Sequence, residues 1–539
     1  MNDTVTKTSA GVAAIRLLEA YGVDLVFGIP GVHTLELYRG LANSRIRHVT
    51  PRHEQGGGFM ADGYARVSGR PGVCILTTGP GVTNAATPIA QAYSDSMPML
   101  IISSVNARAD LGMGRGRLHE ITNQQAAIAP LVAFSQTILE PAQLPDAMAR
   151  AFAVFQGQRP RPVHIEIPID VLELPAEFPI AARRAFGHPA PTADAIAAAA
   201  AILAQAKKPV MIVGGGAVNA TAEVAAMAER LAAPVIATKA GKGTLADTHP
   251  LALGGNLISK PAQELLGSAD VVLAVGTELA ETDHYTAGLP IRGRLIRIDV
   301  DAKVLTRDYP AEVAILADAK LGLAALLAAL GSDAVAALRG NSAKAEVARI
   351  RERILAAAPP LRLKHFKVLD ALRRAMPETG VVFSDMTQIA YTGNTYYPCP
   401  RPRSWFHPNG YGTLGFALPA AIGAKLARPD RPTAVLVGDG GLLFTVQELA
   451  TAVEESLPLA VVMWNNDGYG QIRDGLVARG VPEIGVNLRN PDHLALARAF
   501  GCRAVRPESL EAFTDSVREA LTHEVPTLIE VHEQAGYLD

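Results

Sequence analysis

The chain has 539 residues, of which 49% are hydrophobic, and this length fits about three or four domains with cores of their own. It is therefore neither a small disordered segment nor a disulfide-stapled module. Its 50 Lys and Arg residues nearly balance its 52 Asp and Glu residues, so no overall charge favours nucleic acid or an anionic membrane as a partner. The three cysteines lie far apart, and no apolar run approaches the roughly 18 residues of a membrane helix, so we expect a cytoplasmic protein that acts on small molecules.

Short apolar runs alternate with helical patterns and glycine-rich turns along nearly the whole chain, which is typical of parallel sheets built from βαβ units. The predicted fold class is α/β, with three consecutive doubly wound parallel-sheet domains at residues 1–175, 190–335 and 360–539. A stretch rich in proline and alanine at 175–191 predicts an exposed connection. The predicted strands are Asp24–Phe27, Val73–Thr77, Met99–Ser103, Val163–Ile167, Val210–Val213, Val235–Thr238, Val271–Val275, Leu295–Ile298, Val313–Leu316, Val381–Ser384, Ala434–Val437, Leu459–Met463 and Thr527–Val531.

The most informative segment of the sequence joins two strand ends. One predicted strand ends in GDGG at 438–441, a helix follows, and the next strand ends in NNDG at 465–468. Ligands bind at the carboxyl ends of parallel strands, and glycines there let backbone N–H groups approach a phosphate. The carboxylate of Asp439, the side-chain carbonyl of Asn466 and the main-chain carbonyl of Gly468 are oxygen ligands of the kind that Mg²⁺ prefers. The alternative is two unrelated turns, because a GDG triplet alone is common.

These two motifs resemble those of thiamine diphosphate enzymes of the acetohydroxyacid synthase and pyruvate decarboxylase type, and the resemblance extends over all three predicted domains. It implies that the first domain binds the aminopyrimidine ring, that the third binds the diphosphate and Mg²⁺, and that the middle one is nucleotide-binding-like. The resemblance makes Asp439, Asn466 and Gly468 the metal ligands. The further cofactor-binding residues that it implies are Gly438, Gly440, Gly441, Thr387 and Gln388.

The segment RHEQGGG at 52–58 resembles the family segment whose glutamate hydrogen-bonds the pyrimidine ring, which makes Glu54 the predicted catalytic carboxyl group. Its role would be to share a proton with a ring nitrogen. The alternative is that Glu54 only caps the helix that follows. The segment TGPGVTN at 78–84 resembles the family turn beside the pyrimidine, and Asn84 is its predicted cofactor contact.

The segment GYGTLGF at 410–416 resembles the family segment along the middle of the cofactor. By this resemblance Gly412 offers its carbonyl to the pyrimidine amino group, and Leu414 is the apolar wedge that holds the cofactor bent. The alternative is that Leu414 belongs to the ordinary core, in which case its truncation would cost only stability.

Two histidines are predicted to transfer protons near the reacting carbon. His33 follows FGIPGV at 27–32, which resembles the loop that lines the substrate pocket, and His119 falls where carboligating relatives have a glutamine. Either histidine could instead be a satisfied structural group, and for His33 this alternative is about as strong as the functional one.

Two departures argue against acetohydroxyacid synthase itself. GTELAETD at 276–283 replaces the stretch that carries an arginine for the second substrate and accompanies flavin binding, and Gly475 stands where a tryptophan is expected. Within the family the chain most resembles the 2-ketoarginine (5-guanidino-2-oxopentanoate) decarboxylases, which would release 4-guanidinobutanal and CO₂. We therefore predict a decarboxylase of a 2-oxo acid that uses thiamine diphosphate and Mg²⁺. The alternatives are an acetolactate synthase-like carboligase and, because of the glycine loop at 213–217, an NAD or FAD oxidoreductase.

A guanidinium substrate favours a bidentate carboxylate partner. The acids that could supply one, or that could equally be solvated surface charges, are Glu278, Glu281, Asp283 and Asp474. The family places its cofactor between the first domain of one chain and the third domain of another, which implies a homodimer or homotetramer with shared active sites.

Overall fold

A computed structural model describes residues 8–183, 186–331 and 336–539 of the chain. It confirms the predicted α/β class, because three parallel sheets follow one another along the chain and helices flank each of them. The first and third sheets share one topology: their strands, numbered from the first in each sheet, are ordered 2-1-3-4-6-5, and the middle sheet is ordered 2-1-3-4-5. Within the described ranges, no helix is both long and apolar enough to cross a bilayer.

The first sheet has the order β3-β2-β4-β5-β7-β6, and the short strands β1 and β8 pair antiparallel beside it. All four strands predicted here are present, whereas β3 and β6 escaped prediction because each is only three residues long and partly polar. The elements of this part are β1 Thr8–Ser9, α1 Ala10–Ala20, β2 Leu25–Phe27, α2 Leu35–Leu41, β3 Arg47–Val49, α3 Glu54–Ser68, β4 Gly72–Leu76, α4 Pro80–Asn84, α5 Ala86–Ser94, β5 Met99–Val105, α6 Gln124–Ile128, β6 Ser135–Thr137, α7 Leu144–Gly157, β7 Val163–Pro168, α8 Ile169–Leu172 and β8 Pro175–Ala176.

The predicted exposed connection at 175–191 is wrong at its start. Pro175 and Ala176 pair with the first strand, and Ala176 and Phe178 are buried in the core beside the first sheet because both side chains are apolar. The predicted domain boundaries stay predictions. Residues 1–7, residues 184 and 185 of the connection, and the predicted end of the middle domain at 335 lie outside the described residues.

The middle sheet has the order β10-β9-β11-β12-β13, with every neighbouring pair parallel. All five strands predicted for this region are present. The elements are α9 Ala193–Gln205, β9 Pro209–Val213, α10 Thr221–Leu231, β10 Val235–Ala237, α11 Lys260–Ser268, β11 Val271–Val275, α12 Glu281–His284, β12 Arg294–Asp299, α13 Ala302–Thr306, β13 Val313–Leu316, α14 Ala319–Leu330 and α15 Ala336–Ala356.

The third sheet has the order β15-β14-β16-β17-β19-β18, and the four strands predicted for it are present. Helix α18 follows the GYGTLGF segment directly. The elements are α16 Pro360–Ala375, β14 Val381–Ser384, α17 Gln388–Tyr396, β15 Trp405–Phe406, α18 Ala417–Ala427, β16 Thr433–Gly438, α19 Asp439–Leu442, α20 Glu448–Glu454, β17 Leu459–Asn465, α21 Gly470–Ala478, α22 His493–Ala499, β18 Arg503–Val505, α23 Leu510–Ala520 and β19 Thr527–His532.

The topology decides where ligands can bind. In a doubly wound sheet the chain adds strands on one side of its first strand and then returns to add strands on the other side. At the point where this order reverses, the loops after two neighbouring strands diverge and leave a crevice. In the first sheet these strands are β2 and β4, and in the third they are β14 and β16. The segments FGIPGV, TGPGVTN and GDGG follow the carboxyl ends of β2, β4 and β16, whereas RHEQGGG and NNDG follow the neighbouring strands β3 and β17.

Helices α3 and α18 pack against each other and join the first and third sheets through one continuous core. Glycines allow the close approach: a Cβ added at Gly63 would lie 1.9 Å from the Ala420 carbonyl oxygen, and one added at Gly423 would lie 1.8 Å from the Met60 carbonyl oxygen. The α3 helix, which begins at Glu54, is therefore held in a fixed position against the third sheet.

Gly63→Ala is expected to destabilise the protein by about 3 kcal/mol or more, because the new methyl group would overlap a backbone oxygen that cannot move without shifting α18. Gly340→Ala is the matched control, since Gly340 also lies in a helix but has open space where the Cβ would be. Alanine there should stabilise the helix by about 0.5–1 kcal/mol. Thermal unfolding of the two variants measures the difference, and equal melting temperatures would contradict the packing account.

Candidate functional site

Glu54 is the first residue of α3 and lies beside the turn that follows β4. Its Oε2 accepts a hydrogen bond of 2.9 Å from Asn84 Nδ2, and a Cβ added at Gly81 would lie 3.7 Å from its Oε1. The helix cap is His53, whose Nδ1 accepts a hydrogen bond from the Gln55 N–H. The structure thus brings the two predicted pyrimidine-binding residues together, and the capping role that was the alternative for Glu54 belongs to its neighbour.

The two predicted histidines lie next to each other at the same edge of the first sheet. The rings of His33 and His119 meet edge to face, with centroids 5.3 Å apart, and the Nδ1 atom of each is buried without a hydrogen-bond partner. Burial and the neighbouring His119 ring lower the pKa of His33. His119 has a positive φ of 59°, which is uncommon for a residue other than glycine. We call Glu54, Asn84, His33 and His119 the carboxylate half-site.

The three predicted metal ligands converge at the carboxyl edge of the third sheet. The side-chain oxygen of Asn466 lies 2.9 Å from the Gly468 carbonyl oxygen and 3.3 Å from Asp439 Oδ1, while its nitrogen donates to Gln388 Oε1 at 3.1 Å. If the Asn466 amide were flipped, its nitrogen would take the place of its oxygen and could donate to the Gly468 carbonyl and to Asp439 Oδ1. A cation among three oxygens satisfies them equally well and also keeps the hydrogen bond to Gln388, so we retain the unflipped orientation.

The donor set itself fits a magnesium ion. It consists of one carboxylate, one amide oxygen and one main-chain carbonyl, all hard oxygen ligands, and it leaves positions for phosphate oxygens and water. Asp439 is buried and held in place by Asn490, whose Nδ2 donates to its Oδ2 at 2.6 Å. In the part of the chain that the structure describes, no group of three His, Cys, Asp or Glu side chains has metal-binding spacing, whereas this set combines one carboxylate with two carbonyl oxygens.

The other predicted diphosphate contacts surround these ligands. Thr387 lies against Gly438, where an added Cβ would be 3.0 Å from Thr387 Oγ1. Gln388, at the start of α17, is buried and connects Asn466 with α21. Gly440 lies in the GDGG turn, against the ring of Tyr469. The three metal ligands, these contacts, Gly441, Gly412 and Leu414 together form what we call the metal half-site.

A buried carboxylate shapes the turn that carries Gly412 and Leu414. Asp385 accepts hydrogen bonds from the backbone N–H groups of Met386, Gly415 and Ala417, at 2.8, 3.2 and 3.1 Å. Burial raises the pKa of Asp385 to about 6 despite these bonds. Leu414 is half-buried, and its Cδ2 lies 3.6 Å from the position of a Cβ at Gly441. Leu414 therefore borders the GDGG turn, as an apolar wedge beneath a cofactor would.

The two half-sites are far apart within one chain. Arg66, near the other end of α3, pairs with Asp95 at 2.7 Å, and Asp95 accepts a hydrogen bond from the N–H of Gly410 at the start of the turn that carries Gly412. Twelve residues of helix put roughly 18 Å between Glu54 and Arg66. A single chain therefore presents the two sets of residues at opposite ends of α3.

The four acids that could bind a guanidinium group differ in their surroundings. Glu278 pairs with Arg159 at 3.0 Å and Arg161 at 3.1 Å, so its charge is already compensated. Asp283 accepts a hydrogen bond from the N–H of Lys239, and burial raises the pKa of Asp283 to about 6. The remaining two acids, Glu281 and Asp474, are exposed, and Asp474 Oδ2 accepts a hydrogen bond of 2.7 Å from Gln388 Nε2 of the metal half-site.

The glycine loop of the middle sheet makes internal contacts. The strand order reverses between β9 and β11. In the loops after these two strands, the Gly216 N–H donates to the Gly276 carbonyl at 3.0 Å. Arg159, which lies between α7 and β7, donates to both carboxylate oxygens of Asp299 at 3.0 Å, at the carboxyl end of β12. The glycine loop and the end of a nearby strand are therefore already bonded to groups of the chain itself.

Sequence reasoning missed Asp385 and Asn490, which position residues of the metal half-site. Asp385 directly follows β14, and a single acid after a buried strand is a signal that could have identified it. Asn490 lies in a loop 51 residues after its partner Asp439, and the sequence offers no signal for it.

Comparison with known proteins agrees with this geometry. Three family models match: "Thiamine pyrophosphate enzyme, N-terminal TPP binding domain" over residues 8–127, "central domain" over 196–326 and "C-terminal TPP binding domain" over 385–531. A protein of Pseudomonas aeruginosa named "Probable 2-ketoarginine decarboxylase AruI" is 53% identical over 97% of this chain and 94% of its own. The "Probable acetolactate synthase large subunit" of Methanococcus aeolicus is 32% identical over 96% of this chain and 91% of its own. The "Acetolactate synthase isozyme 1 large subunit" of Escherichia coli is 34% identical over 85% of this chain and 82% of its own. The chain belongs to the thiamine pyrophosphate enzyme family and is a thiamine diphosphate-dependent enzyme.

Proposed function

We propose that the protein is a Mg²⁺-dependent decarboxylase of 2-oxo acids that converts 5-guanidino-2-oxopentanoate into 4-guanidinobutanal and CO₂. The observation that carries the cofactor assignment is the convergence of the Asp439, Asn466 and Gly468 oxygens at the carboxyl edge of the third sheet. The similarity to the Pseudomonas aeruginosa protein supports the substrate, because it extends over nearly the whole of both chains.

In this proposal each half-site has its own task. Asp439, Asn466 and Gly468 hold Mg²⁺, and Glu54 shares a proton with the pyrimidine ring while Asn84 keeps its carboxylate in place. The bound cofactor supplies a sink for the electron pair that departing CO₂ leaves behind. The further contacts proposed are Gly438, Gly440, Gly441, Thr387 and Gln388 to the diphosphate, Gly412 and Leu414 to the middle of the cofactor, and His33 and His119 to the reacting substrate.

The neutral state of His33 suits proton transfer. Its lowered pKa leaves the ring uncharged at neutral pH, so its unpartnered Nδ1 can accept a proton or a hydrogen bond from substrate. His119, 5.3 Å away, is the second proton-transfer residue in this proposal.

A second copy of the chain would complete the site. Because α3 separates the two half-sites of one chain, we propose a homodimer or a homotetramer of such dimers in which each site combines half-sites of two chains. Large exposed apolar side chains support the shared site, because a second chain that covered them would remove their apolar surface from water. They are Val32, Leu35 and Leu118 near the carboxylate half-site, and Tyr411, Ile472, Val477 and Ile484 near the metal half-site. The three cysteines are free and buried, which fits the reducing cytoplasm.

A panel of 2-oxo acids tests the activity. With thiamine diphosphate and Mg²⁺ both present, 5-guanidino-2-oxopentanoate should release CO₂ and 4-guanidinobutanal in equal amounts, and omission of either cofactor should stop the reaction. Acetolactate formed from pyruvate at a higher rate would identify a carboligase instead. Protein stabilised by NAD or FAD but not by thiamine diphosphate with Mg²⁺ would identify an oxidoreductase.

Asp474 is the acid that we propose as the guanidinium partner, because it is exposed and hydrogen-bonded to the metal half-site. Asp474→Asn should raise KM for 5-guanidino-2-oxopentanoate by about 10- to 100-fold, the worth of one charge-assisted pair. An uncharged 2-oxo acid of similar length is the internal control, and its KM should change little. A similar rise in KM for both substrates would reject Asp474 as the guanidinium partner.

A further inference from the structure

Glu448, at the start of α20, is a buried carboxylate for which the proposed reaction has no use. Its side chain is fully buried. Its Oε1 accepts hydrogen bonds from the backbone N–H groups of Arg52 at 3.1 Å and His53 at 3.0 Å. Its Oε2 accepts from the same Arg52 N–H at 3.1 Å and from Thr451 Oγ1 at 2.7 Å. A residue of α20 thus holds the two residues that precede Glu54.

Residues of both α3 and α20 contribute to the contact between Glu448 and the start of α3. A Cβ added at Gly56, in the first turn of α3, would lie 2.3 Å from Glu448 Oε1, so the glycine makes room for the carboxylate against the helix. The Arg52 guanidinium does not pair with Glu448 but donates to the Thr50 carbonyl and to Glu454 at 2.6 Å. Backbone N–H groups and a hydroxyl therefore surround the charge of Glu448, without a paired cation.

A neutral side chain could make all of these hydrogen bonds except the one from Arg52 to Oε2. The oxygen of a glutamine could accept from both backbone N–H groups, and its nitrogen could donate to the Thr451 hydroxyl. Burial raises the pKa of Glu448, which means that its ionised form is destabilised in the folded protein. An ionised Glu448 therefore carries a cost in stability, and such a cost calls for a functional reason.

The position of the charge suggests that reason. The amino end of a helix carries partial positive charge and favours an ionised carboxylate, and Glu54 is the first residue of α3. In the proposed function Glu54 must hold a proton to share with the pyrimidine. A negative charge beside a helix end opposes the ionisation of a second carboxyl group there.

We propose that Glu448 is a positioning residue for Glu54, which fixes the start of α3 through two backbone N–H groups and, by its charge, keeps a proton on the Glu54 carboxyl group. This inference rests on the proposed role of Glu54. The other titratable groups around the two carboxylates are Arg52 and His53 before α3, Tyr38 on α2, and Glu454 on α20. Burial and the nearby Glu54 raise the pKa of Tyr38, so it stays neutral and does not offset either charge.

The Glu448→Gln variant removes the charge while keeping an acceptor for the N–H groups of Arg52 and His53. The alkaline limb of its kcat/KM profile for the 2-oxo acid substrate should move about one pH unit lower than in wild type, which is about a tenfold loss of kcat/KM on that limb. Titration calorimetry across pH measures the binding of thiamine diphosphate with Mg²⁺ to the apoprotein. In the variant this binding should begin to weaken at a lower pH than in wild type, by about the same shift. The melting temperature should fall less than in Glu448→Ala, because the glutamine oxygen still accepts from the N–H groups of Arg52 and His53.

Two further variants separate the charge from the structure. Glu448→Ala leaves the N–H groups of Arg52 and His53 without an acceptor and should lower the melting temperature as well as the activity. Glu166→Gln is the matched control: Glu166 is another buried glutamate, hydrogen-bonded to Thr137 and Gln124, and its replacement should leave the alkaline limb in place.

The outcomes are distinct. A wild-type alkaline limb and wild-type cofactor binding across pH in Glu448→Gln would overturn the inference, and so would a loss of melting temperature equal to that of Glu448→Ala. If wild type releases no CO₂ from any 2-oxo acid, the proposed function fails, but the pH dependence of cofactor binding still decides the role of Glu448.

Discussion

Glu54→Gln should lower kcat by about 10² to 10⁴-fold, the usual contribution of a positioned acid or base, while leaving the fold intact. A glutamine has the same size and can still accept the hydrogen bond from Asn84, so the carboxylate half-site keeps its shape. What the variant loses is the proton that the carboxyl group shares with the pyrimidine ring. The loss should appear in kcat more than in cofactor affinity, because most contacts to the cofactor lie in the metal half-site.

The measurement is steady-state CO₂ release at saturating thiamine diphosphate and Mg²⁺, with thermal unfolding as the check on folding. Glu511→Gln is the matched control, since Glu511 is also an acid in the first turn of a helix but is exposed on α23. Its activity should equal that of wild type. If Glu54→Gln kept near-wild-type kcat, Glu54 would have no catalytic role and the assignment of the half-site would have to be abandoned.

Asp439→Ala should weaken the binding of thiamine diphosphate with Mg²⁺ by about 100-fold or more, because it removes the one carboxylate of the proposed metal site. The buried Asn490 amide would lose its acceptor at the same time. Activity should recover in part at high Mg²⁺ concentration, which separates a defect of binding from a defect of chemistry.

Asp467→Asn provides the control from the same loop. Asp467 follows Asn466 directly, but its carboxylate faces His532 at 3.2 Å instead of the metal ligands. Asparagine suits this position because the residue has a φ of 59°, which asparagine tolerates. Calorimetric titration should give Asp467→Asn a wild-type affinity, and an equal loss of affinity in both variants would show that the loop, not the ligand, was disturbed.

The sequence predicted the architecture well because the parallel strands are buried and rich in β-branched residues. Apolar runs such as 271–275 and 459–463 are typical of strands that are buried on both faces of a parallel sheet. The strands that escaped prediction, such as Arg47–Val49 and Ser135–Thr137, are short and partly polar, and they form because a neighbouring strand offers its hydrogen bonds. Their pairing is a tertiary effect that no local pattern carries.

The candidate site was predictable where its residues follow strand ends in recognisable motifs, as Asp439 and Asn466 do. It was not predictable where a partner is remote in sequence: Glu448 meets the N–H of Arg52 across 396 positions. The separation of the two half-sites along α3 also depends on the packing of α3 against α18, and only the fold reveals it.

The central claim is that Glu54 of one chain and Asp439 of another complete one active site, and mixed dimers test it most directly. Glu54→Gln and Asp439→Ala chains should each be nearly inactive alone. When the two are unfolded together in equal amounts and refolded, half of the dimers should be mixed and each mixed dimer should contain one intact site, so about a quarter of wild-type activity should return. Activity that stays at the level of the two parents would show that each chain builds its site from its own residues, and would contradict the account.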